Sequence, residues 1–169
     1  MISFFKERKR SRAVRSLSIL DTAPEPVFNR FVAAAANAFD APVALMSLIY
    51  EDQQWFKAWH GLSLDCIARD SGFCTFTLDR PDILECTDPQ GDPRFADLSV
   101  VTEEPHIRYY IGASLRRMSG IDVGALCVLD TKRRPPASVD QKAYLVALAR
   151  QASMALEARL DLLKRSAAA

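Results

Sequence analysis

Apolar residues follow helical spacing near both ends of the sequence. Toward the N-terminus, one helix face is formed by Phe28, Phe31, Val32, Ala35 and Phe39. Thr22 and Glu25 precede this face with the spacing of a capping box, which predicts a helix that runs to about Phe39. Toward the C-terminus, an apolar stripe consists of Leu145, Leu148, Ala152, Ala155 and Leu156. Ser138 is placed to cap this second helix, which we expect to run to Lys164.

Between the helices, the pattern predicts two β-hairpins. Val43–Tyr50 is a short apolar run typical of a buried strand, and Trp55–His60 alternates as its partner across a polar turn at residues 51–54. The second hairpin pairs Arg108–Leu115 with Val123–Asp130. Strands joined by short turns imply an antiparallel sheet with helices packed on it, which is an α+β domain.

The region between the hairpins carries weaker signals. Leu62–Asp70 shows no regular pattern, Gly72–Leu78 is a short apolar segment of undecided type, and Ile83–Cys86 is typical of a short strand. The prolines and glycine within residues 88–97 predict a loop. A glycine inside the last strand, Gly124, predicts a bulge or the close approach of another group.

The 169 residues carry a net charge of +1 that is unevenly placed. Six basic residues and one acidic residue give residues 1–15 a net charge of +5, and 16 basic and 20 acidic residues leave −4 for the remainder. We therefore divide the chain into a basic N-terminal arm or helix at 1–16, one domain at 17–165 that includes the long C-terminal helix, and a tail at 166–169. The arm is either a solvated helix face or a contact with an anionic surface. The overall balance argues against nucleic acid as a bulk electrostatic partner.

Neither a membrane span nor a signal peptide is recognisable in the sequence. The longest apolar run, Ala41–Tyr50, is about half of the roughly 20 residues that a transmembrane helix needs. The short apolar stretch at 2–5 precedes the basic residues, whereas the apolar part of a signal peptide follows them. We therefore expect a cytoplasmic protein.

The cysteines show no spacing that indicates a metal site or a C-x-x-C redox pair. They are Cys66, Cys74, Cys86 and Cys127. In a reducing compartment we expect four buried structural thiols, with no metal ligand. The sequence indicates no particular cofactor.

Six blocks, in order along the chain, resemble the GAF domain family, and more narrowly the bacterial GAF domains that often precede signalling output domains. They span about Leu17 to Glu157 and are Leu20–Glu25, Gln54–Lys57, Arg69-Asp70 with Phe73-Cys74, Asp88 with Asp92–Asp97, Ile107–Tyr110 with Gly112-Ala113 and Leu115, and Gly124–Asp130. The resemblance implies an antiparallel sheet with the terminal helices packed on one face and a pocket covered by loops and short helices on the other. It also implies a homodimer formed through the N- and C-terminal helices.

This chain departs from the family pattern at the pocket. Where the family has Ser-Phe-Cys-Ala-His, the chain has Gly72-Phe73-Cys74-Thr75-Phe76. A hydroxyl and an imidazole are lost, so we expect a more apolar pocket with no imidazole there to bind haem or metal. The Asn-Lys-Phe-Asp-Glu motif of cyclic-nucleotide-binding relatives and the Cys-His pair of bilin-attaching relatives are both absent from the sequence.

Residue type and the resemblance together select the candidate ligand contacts. They are Trp55, Phe73, Cys74, Phe76, Asp88, Arg94, Phe95, Tyr110 and Cys127. Aromatic side chains are suited to wall an apolar pocket. A guanidinium such as that of Arg94 either clamps an anion or forms an internal salt bridge, for which we expect Asp88 or Asp97 as the partner. We expect no catalytic residue.

Three functions are compatible with this sequence. The favoured one is a non-enzymatic sensory or regulatory module that binds a small molecule or a signalling partner and passes the change through its terminal helices. Because no output domain follows in the sequence, we expect it to act by association. The second is a cysteine-dependent redox enzyme resembling the free methionine sulfoxide reductases, but the uncharged neighbours of Cys74 and Cys127 favour inert thiols. The third is a ligand-free dimeric scaffold for protein interactions, whose pocket is filled by its own side chains.

Overall fold

The computed structural model describes residues 3–81 and 83–169, which contain a six-stranded antiparallel sheet. In chain order the elements are α1 Phe4–Ser16, α2 Pro26–Phe39, β1 Val43–Tyr50, β2 Gln53–His60, β3 Cys66–Ala68, α3 Cys74–Thr77, β4 Leu84–Cys86, α4 Ser99–Thr102, β5 Tyr109–Arg116, β6 Asp122–Asp130 and α5 Val139–Ala168. The strands lie in the order β3-β2-β1-β6-β5-β4, so the hairpins β1–β2 and β5–β6 meet at an antiparallel β1–β6 pair. The predicted α+β fold is confirmed.

Each face of the sheet covers its own hydrophobic core. Helices α1, α2 and α5 pack on one face, around residues such as Phe28 and Leu126. The short helix α3 and the loops around it cover the other face, where Leu45 and Phe73 are buried. Because successive strand residues point to opposite faces, the central strands contribute to both cores in alternation. All nine residues of β6 are accordingly buried.

Both predicted hairpins are confirmed, with small shifts at their ends. β2 begins at Gln53, because Glu51 and Asp52 alone make the turn, with Glu51 in the left-handed region at φ 54°. The predicted turn at residues 51–54 is therefore wrong at Gln53 and Gln54, which belong to β2. Gln54, which the sequence pattern assigned to that turn, lies inside the strand and is buried.

The glycine inside β6 marks the close approach of a neighbouring strand. A Cβ atom at Gly124 would lie 1.8 Å from the carbonyl oxygen of Ser47 in β1. The register of the β5–β6 pair also shifts between Leu115 and Arg116, next to this position. The predicted bulge or close approach is confirmed, and only a residue without a side chain fits there.

The region between the hairpins is more ordered than the sequence pattern predicts. The segment Leu62–Asp70, expected to be irregular, contains β3 and leads into a 3₁₀ turn at Arg69–Ser71. The apolar segment Gly72–Leu78 contains α3, and the strand predicted at Ile83–Cys86 is β4. β3 is an edge strand that pairs only with β2, and its three residues therefore show no strong apolar pattern.

The two predicted helix caps differ in outcome. At α5, Ser138 Oγ accepts from the Gln141 N–H while the Gln141 side chain accepts from the Ser138 N–H, a capping box. The capping box predicted at Thr22 and Glu25 is wrong, since α2 begins at Pro26 and neither side chain caps it. Glu25 binds two basic side chains instead, as described below.

The terminal segments are helical. α1 occupies most of the predicted basic arm, whose residues 1 and 2 lie outside the described residues. Arg10 of α1 is buried and donates to the backbone oxygen of Asp122 and, at 2.9 Å, to the carboxylate of Asp79. Part of the arm's charge is therefore internal. α5 continues past Lys164 into the predicted tail and ends at Ala168. In the two described stretches, no helix combines the length and hydropathy needed to cross a membrane.

Candidate functional site

A small cavity lies on the sheet face opposite the terminal helices. The sheet contributes its floor through Leu45, Gln54, Phe56, Tyr110, Cys127 and Leu129. Its cover comes from residues within segments 62–67, 72–74 and 100–107. The volume is about 40 Å³. Since one water molecule needs roughly 10–15 Å³, the cavity has room for only a few water-sized groups.

Aromatic rings form one wall of the cavity. Phe73 stacks on Tyr110 with ring centroids 4.7 Å apart and an angle of 11° between the planes, and Phe95 contacts Phe73 at 5.0 Å. Gly112 makes room for this arrangement, because a Cβ atom there would lie 2.3 Å from the Tyr110 hydroxyl oxygen. The hydroxyl instead reaches Thr77 Oγ1 at 2.7 Å. The wall is thus apolar with a hydroxyl held at its base.

Two buried thiols meet beside this hydroxyl. The Sγ atoms of Cys74 and Cys127 are 3.8 Å apart, and the Tyr110 O–H donates to Cys74 Sγ at 3.6 Å. Hydrogen bonding with the Cys127 thiol lowers the pKa of Cys74 against the opposing effect of burial, and Ser47, Tyr110 and Gln54 add to the lowering. Burial and the neighbouring Cys74 sulfur raise the pKa of Cys127 well above its usual value. Of the two sulfurs, Cys74 is the one better able to form a thiolate.

The other two cysteines lie apart from this pair. Cys86 is buried in β4, and burial raises the pKa of its thiol. Cys66 is exposed, so the expectation of four buried thiols is wrong at this residue, which lies on the edge strand β3. Within the described residues, no group of three or more His, Cys, Asp or Glu side chains is arranged to hold a metal ion.

Gln54 is a buried polar residue that the sequence analysis did not select. Gln54 is 2% exposed and lines the cavity, and its Oε1 atom has no hydrogen-bond partner among the described residues. A Cβ atom at Gly72 would lie 2.6 Å from Oε1, so the glycine at that position leaves room for the amide. A buried acceptor without a partner costs about 1–3 kcal/mol, which indicates a place for a hydrogen-bond donor. If the strand is begun at Gln53, the alternation of its side chains between the two sheet faces places Gln54 on the same face as Phe56.

The structure brings together four of the nine predicted ligand contacts at the cavity. They are Phe73, Cys74, Tyr110 and Cys127. Phe95 lies directly behind them, against Phe73. Phe76 contacts Phe95 edge-on at 5.0 Å, but it is 37% exposed and borders a separate surface cleft. Trp55 packs against the core on the helix face, so the sheet separates it from the cavity.

The two charged candidates lie at the surface. Asp88 accepts from the backbone N–H of Gly91 and pairs with Arg133 at 3.3 Å. Arg94 pairs with Asp92 at 2.7 Å, so the expected salt bridge to Asp88 or Asp97 is wrong. Asp92 is only two residues from Arg94 in the same turn, so its carboxylate is the nearer partner for the guanidinium. Neither charged residue lines the cavity.

Behind the cavity, on the helix face of β2, three charged residues form what we call the Lys57 hub: Lys57, Glu25 and Arg159. The Lys57 side chain is fully buried, with Nζ 2.6 Å from Glu25 Oε2, and it donates to Ala23 O and Thr22 Oγ1. Arg159 of α5 binds the same carboxylate at 2.9 Å. Burial alone would raise the pKa of Glu25, but hydrogen bonds from Lys57 and Arg159 outweigh burial and hold it below its usual value. The hub explains why Thr22 and Glu25 do not cap α2.

A register shift turns Lys57 toward the helices. The register of the β1–β2 pair shifts between Met46 and Ser47, which pair with Ala58 and Phe56 respectively. Lys57 is therefore left without a paired residue in β1. Phe56 then lies on the cavity side, while Lys57 and Ala58 lie on the helix side. The sequence pattern of β2 carries no sign of this shift, and the hub was therefore missed.

A family model and one curated relative match this chain over most of its length. The model of the GAF domain family matches residues 23–156. A cyclic di-GMP phosphodiesterase of Pseudomonas aeruginosa is 36% identical over 144 residues, which cover 85% of this chain and 24% of the relative. The chain thus spans about a quarter of the length of that curated relative.

Solved structures share the fold at low sequence identity. The GAF domain of an Acinetobacter phosphoenolpyruvate-protein phosphotransferase superposes with a TM-score of 0.63 at 15% identity, over 99% of this chain and 100% of that one. The blue-light-absorbing form of the Thermosynechococcus elongatus PixJ GAF domain gives 0.63 at 14%, over 99% and 96%. A type II free methionine-R-sulfoxide reductase from Thermoplasma acidophilum gives 0.61 at 13%, over 89% and 94%. These identities support the fold alone, whereas the family model matches most of the sequence: the chain belongs to the GAF domain family.

Proposed function

We propose that this GAF domain is a non-enzymatic sensory or regulatory module, which binds a small molecule or a signalling partner at the cavity and passes the change to its terminal helices. The observation that carries the proposal is the position of β2. This strand lines the cavity with Gln54 and Phe56 and holds the hub with the next residue, Lys57. A single strand therefore contacts both the candidate ligand site and the helices.

Ligand binding at this site requires the cover to move. Sites for small molecules usually enclose about 300–1,000 Å³, against about 40 Å³ here. The cover is made of α3 and loops, and it packs on the sheet through apolar side chains such as Phe73 and Leu98. An open and a closed cover supply the two states between which a ligand must discriminate if it is to act as a switch.

The lining favours a compact apolar ligand with a hydrogen-bond donor. Leu45, Phe56 and Leu129 supply apolar floor, and the aromatic wall supplies flat contact surface. Gln54 Oε1 is the buried acceptor that the donor would satisfy. This acceptor would make the site selective. A ligand without a donor would leave Oε1 unpaired, so the free-energy cost of the unpaired acceptor would remain.

The Lys57 hub is the proposed route from the cavity to the helices. Glu25 stands immediately before α2, and Arg159 lies in α5 and also donates to the backbone oxygen of Leu17, just after α1. The hub thus joins β2 to all three terminal helices. A displacement of β2 that lengthens the Lys57–Glu25 contact would also shift Glu25 and so loosen its contact with Arg159 of α5.

The proposed output follows from the curated relative. That protein is a cyclic di-GMP phosphodiesterase, and this chain corresponds to 24% of it. We infer that the GAF domain regulates an enzymatic partner of that kind, as a homodimer through its terminal helices. The proposed setting is the cytoplasm, a reducing compartment in which free thiols such as that of Cys66 persist.

Native mass spectrometry on freshly purified protein tests ligand binding. We expect an added mass that disappears when the same sample is denatured. Hydrogen–deuterium exchange in α5 should differ between loaded and stripped protein. Two variants separate the steps: Gln54→Leu should lose the added mass, whereas Lys57→Met should keep it and lose the exchange difference.

Two results would count against this proposal. Equal exchange in α5 of loaded and stripped protein would refute transmission through the hub. A mass equal to that of the chain alone, unchanged after incubation with a small-molecule extract of cells, would favour the ligand-free scaffold instead.

The non-enzymatic part of the proposal has its own test. The 3.8 Å separation of the Cys74 and Cys127 sulfurs is the observation that keeps a thiol-dependent reductase in consideration. An NADPH-coupled assay with free methionine sulfoxide should show no turnover by the wild-type chain. Turnover that Cys74→Ser, Cys86→Ser or Cys127→Ser abolishes would establish the enzyme and overturn this part.

A further inference from the structure

The buried pair of Cys74 and Cys127 plays no part in the proposed ligand recognition. The two residues are 53 positions apart in sequence, in α3 and β6, and the fold brings their Sγ atoms to 3.8 Å. Both are buried and both line the cavity. Two thiols that share one small cavity are within reach of the same oxidant molecule.

We propose that this pair is an oxidation site for hydrogen peroxide, at which Cys74 and Cys127 form a reversible disulfide between α3 and β6. The inference goes beyond the proposed function and does not rest on it, since it needs neither a bound ligand nor a partner.

The size of the cavity selects the oxidant. A volume of about 40 Å³ admits a few water-sized groups. Hydrogen peroxide consists of two oxygen atoms and their hydrogens and fits that space. An alkyl hydroperoxide with a branched carbon group does not fit unless the cover opens. The cavity therefore separates hydrogen peroxide from bulkier hydroperoxides by size.

The reaction begins at Cys74. Its thiol loses a proton, and the thiolate sulfur attacks one peroxide oxygen, which forms an S–O bond and breaks the O–O bond. The departing hydroxide takes up that proton and leaves as water. Cys74 is now a sulfenic acid, oxidised by two electrons, and the peroxide has been reduced.

Cys127 completes the reaction. Its sulfur attacks the Cys74 sulfur, so that an S–S bond forms and the S–OH bond breaks. The hydroxide that leaves combines with the Cys127 proton to give a second water. In total two thiols and one hydrogen peroxide give one disulfide and two waters. A dithiol reductant reverses the change by thiol–disulfide exchange, which restores the two cysteine thiols and oxidises the reductant to its own disulfide.

The groups around the sulfurs favour this order of events. Tyr110 O–H donates to Cys74 Sγ at 3.6 Å, and the Tyr110 oxygen is itself held by Thr77 at 2.7 Å. This contact favours thiolate at Cys74, whose pKa is lowered, mainly through the Cys127 thiol. The pKa of Cys127 is raised by burial, so Cys127 keeps its proton for the second step.

Disulfide formation would tighten the cover on the sheet. The sulfurs must approach from 3.8 Å to about 2.05 Å. That movement draws the start of α3, together with the adjacent Phe73, toward β6. The oxidised protein should therefore hold its cavity closed.

Intact mass spectrometry tests the proposal on the whole chain. The experiments start from a parent protein that carries the substitution Cys66→Ser. This substitution removes the exposed thiol and leaves the lining of the cavity unchanged. Before alkylation, hydrogen peroxide should cause a loss of about 2 Da, the mass of two hydrogens. Alkylation of the denatured protein should then label two fewer thiols, and dithiothreitol should reverse both changes. Digestion should yield one cross-linked peptide joining Cys74 to Cys127. tert-Butyl hydroperoxide should form the disulfide at least about tenfold more slowly than hydrogen peroxide. As the control, it should oxidise the exposed Cys66 of the wild type without that delay.

Matched variants identify the sulfurs. Cys86→Ser, which removes a buried thiol away from the cavity, should keep the loss of mass, and Cys74→Ser and Cys127→Ser should each abolish it. Because either of the last two could unfold the protein, the cross-linked peptide from the parent is decisive by itself. No loss of 2 Da would overturn the proposal. A gain of about 16 or 32 Da at Cys74 without a cross-link would do the same. Equal rates with both peroxides would overturn the selection by size.

Neither result depends on the ligand. The mass of a bound ligand is measured on reduced protein, and disulfide formation is measured on stripped protein. Failure of this inference is thus distinguishable from failure of the proposed function.

Discussion

Lys57 carries a positive charge into the interior of the protein. Its side chain is fully buried, and its ammonium group is matched by the Glu25 carboxylate at 2.6 Å and by two further oxygen atoms. A buried ion pair is weak evidence for stability by itself, because both charges lose their water. Breaking such a pair is costly, however, since the remaining partner stays poorly solvated.

Replacing Lys57 with methionine should lower the free energy of unfolding by about 2 kcal/mol, below the 3–5 kcal/mol typical of a fully buried pair. The cost is reduced because Glu25 is 33% exposed and keeps Arg159 as a partner. Urea denaturation measures the change. Arg94→Met is the control: its pair with Asp92 is at the surface, so the expected change is within about 0.5 kcal/mol. Equal effects of the two substitutions would contradict the role of burial.

Two glycines of the second hairpin should respond differently to alanine. At Gly124 the new Cβ would meet backbone, 1.8 Å from the Ser47 oxygen, which cannot move without separating β1 from β6. At Gly112 it would meet the end of the Tyr110 side chain at 2.3 Å, and a side chain can shift at a lower cost than the backbone of a paired strand. Gly124→Ala should cost about 3 kcal/mol or more, and Gly112→Ala about 1 kcal/mol, in thermal or urea unfolding. A reversed order would show that the β1–β6 contact is looser than described.

At the scale of helices and strands, local patterns predicted what depends on local contacts. The apolar face ending at Phe39, the cap at Ser138 and the two hairpins follow from residues close in sequence. β3 and the start of α2 could not be predicted in this way. β3 is ordered by pairing with β2, and Glu25 is taken from its expected capping role by Lys57, 32 positions later in the chain.

The same distinction applies to the cavity. Phe73, Cys74, Tyr110 and Cys127 were predicted from residue type together with the family resemblance, and they do line it. Trp55 was predicted on the same grounds, yet the pleat directs it to the helix face. Gln54 was missed because its polarity favoured a turn. Its burial depends on β3 and α3, whose positions no local pattern shows.

The link between α2 and α5 should make stability depend on acidity. The pKa of Glu25 in the folded protein lies below its usual value, so folding favours the carboxylate. That contribution is complete above the unfolded pKa of about 4.3 and is lost as the pH falls through the folded pKa. In urea unfolding from pH 7 to pH 3, wild type should be more stable than Glu25→Gln at pH 7, and the difference should shrink below about pH 4.3.

Comparing the two proteins at each pH cancels the other acids. Glu7 and Glu157 also have lowered pKa values, the first because hydrogen bonds to Arg69 and Arg10 outweigh burial and the second through Arg117. Both are present in wild type and in Glu25→Gln. A difference in stability that stays constant from pH 7 to pH 3 would contradict the assignment to Glu25.

For the molecule as a whole, α5 is longer than its contact with the sheet requires. Its 30 residues extend about 45 Å, and every residue from 161 to 169 is exposed. Met154, Ala158 and Leu162 are exposed at spacings of four and form an apolar stripe on its outer face. This stripe is the surface through which we expect the homodimer to form.

Light scattering coupled to size-exclusion chromatography tests that surface. Leu162→Glu should weaken dimerisation by about tenfold or more, because it replaces the leucine at the C-terminal end of the stripe with a charge. Leu163→Glu is the matched control: the substitution is the same, and the residue is also exposed, but it points about 100° away around the helix. A monomeric wild type, or equal weakening by both variants, would exclude this stripe as the interface.

The central β1–β6 pair has a consequence for how the protein is made. It joins residues 43–48 to residues 124–129, so about half of the chain lies between the partners. On the ribosome, the β1–β2 hairpin emerges long before β6, and meanwhile the inner edge of β1 has no strand beside it. Open strand edges recruit other chains, and pairings between distant segments form slowly. Nascent chains that stop before β6 should therefore be the aggregating species, and synthesis of this domain should benefit from chaperones that shield β1 until residue 129 has been translated.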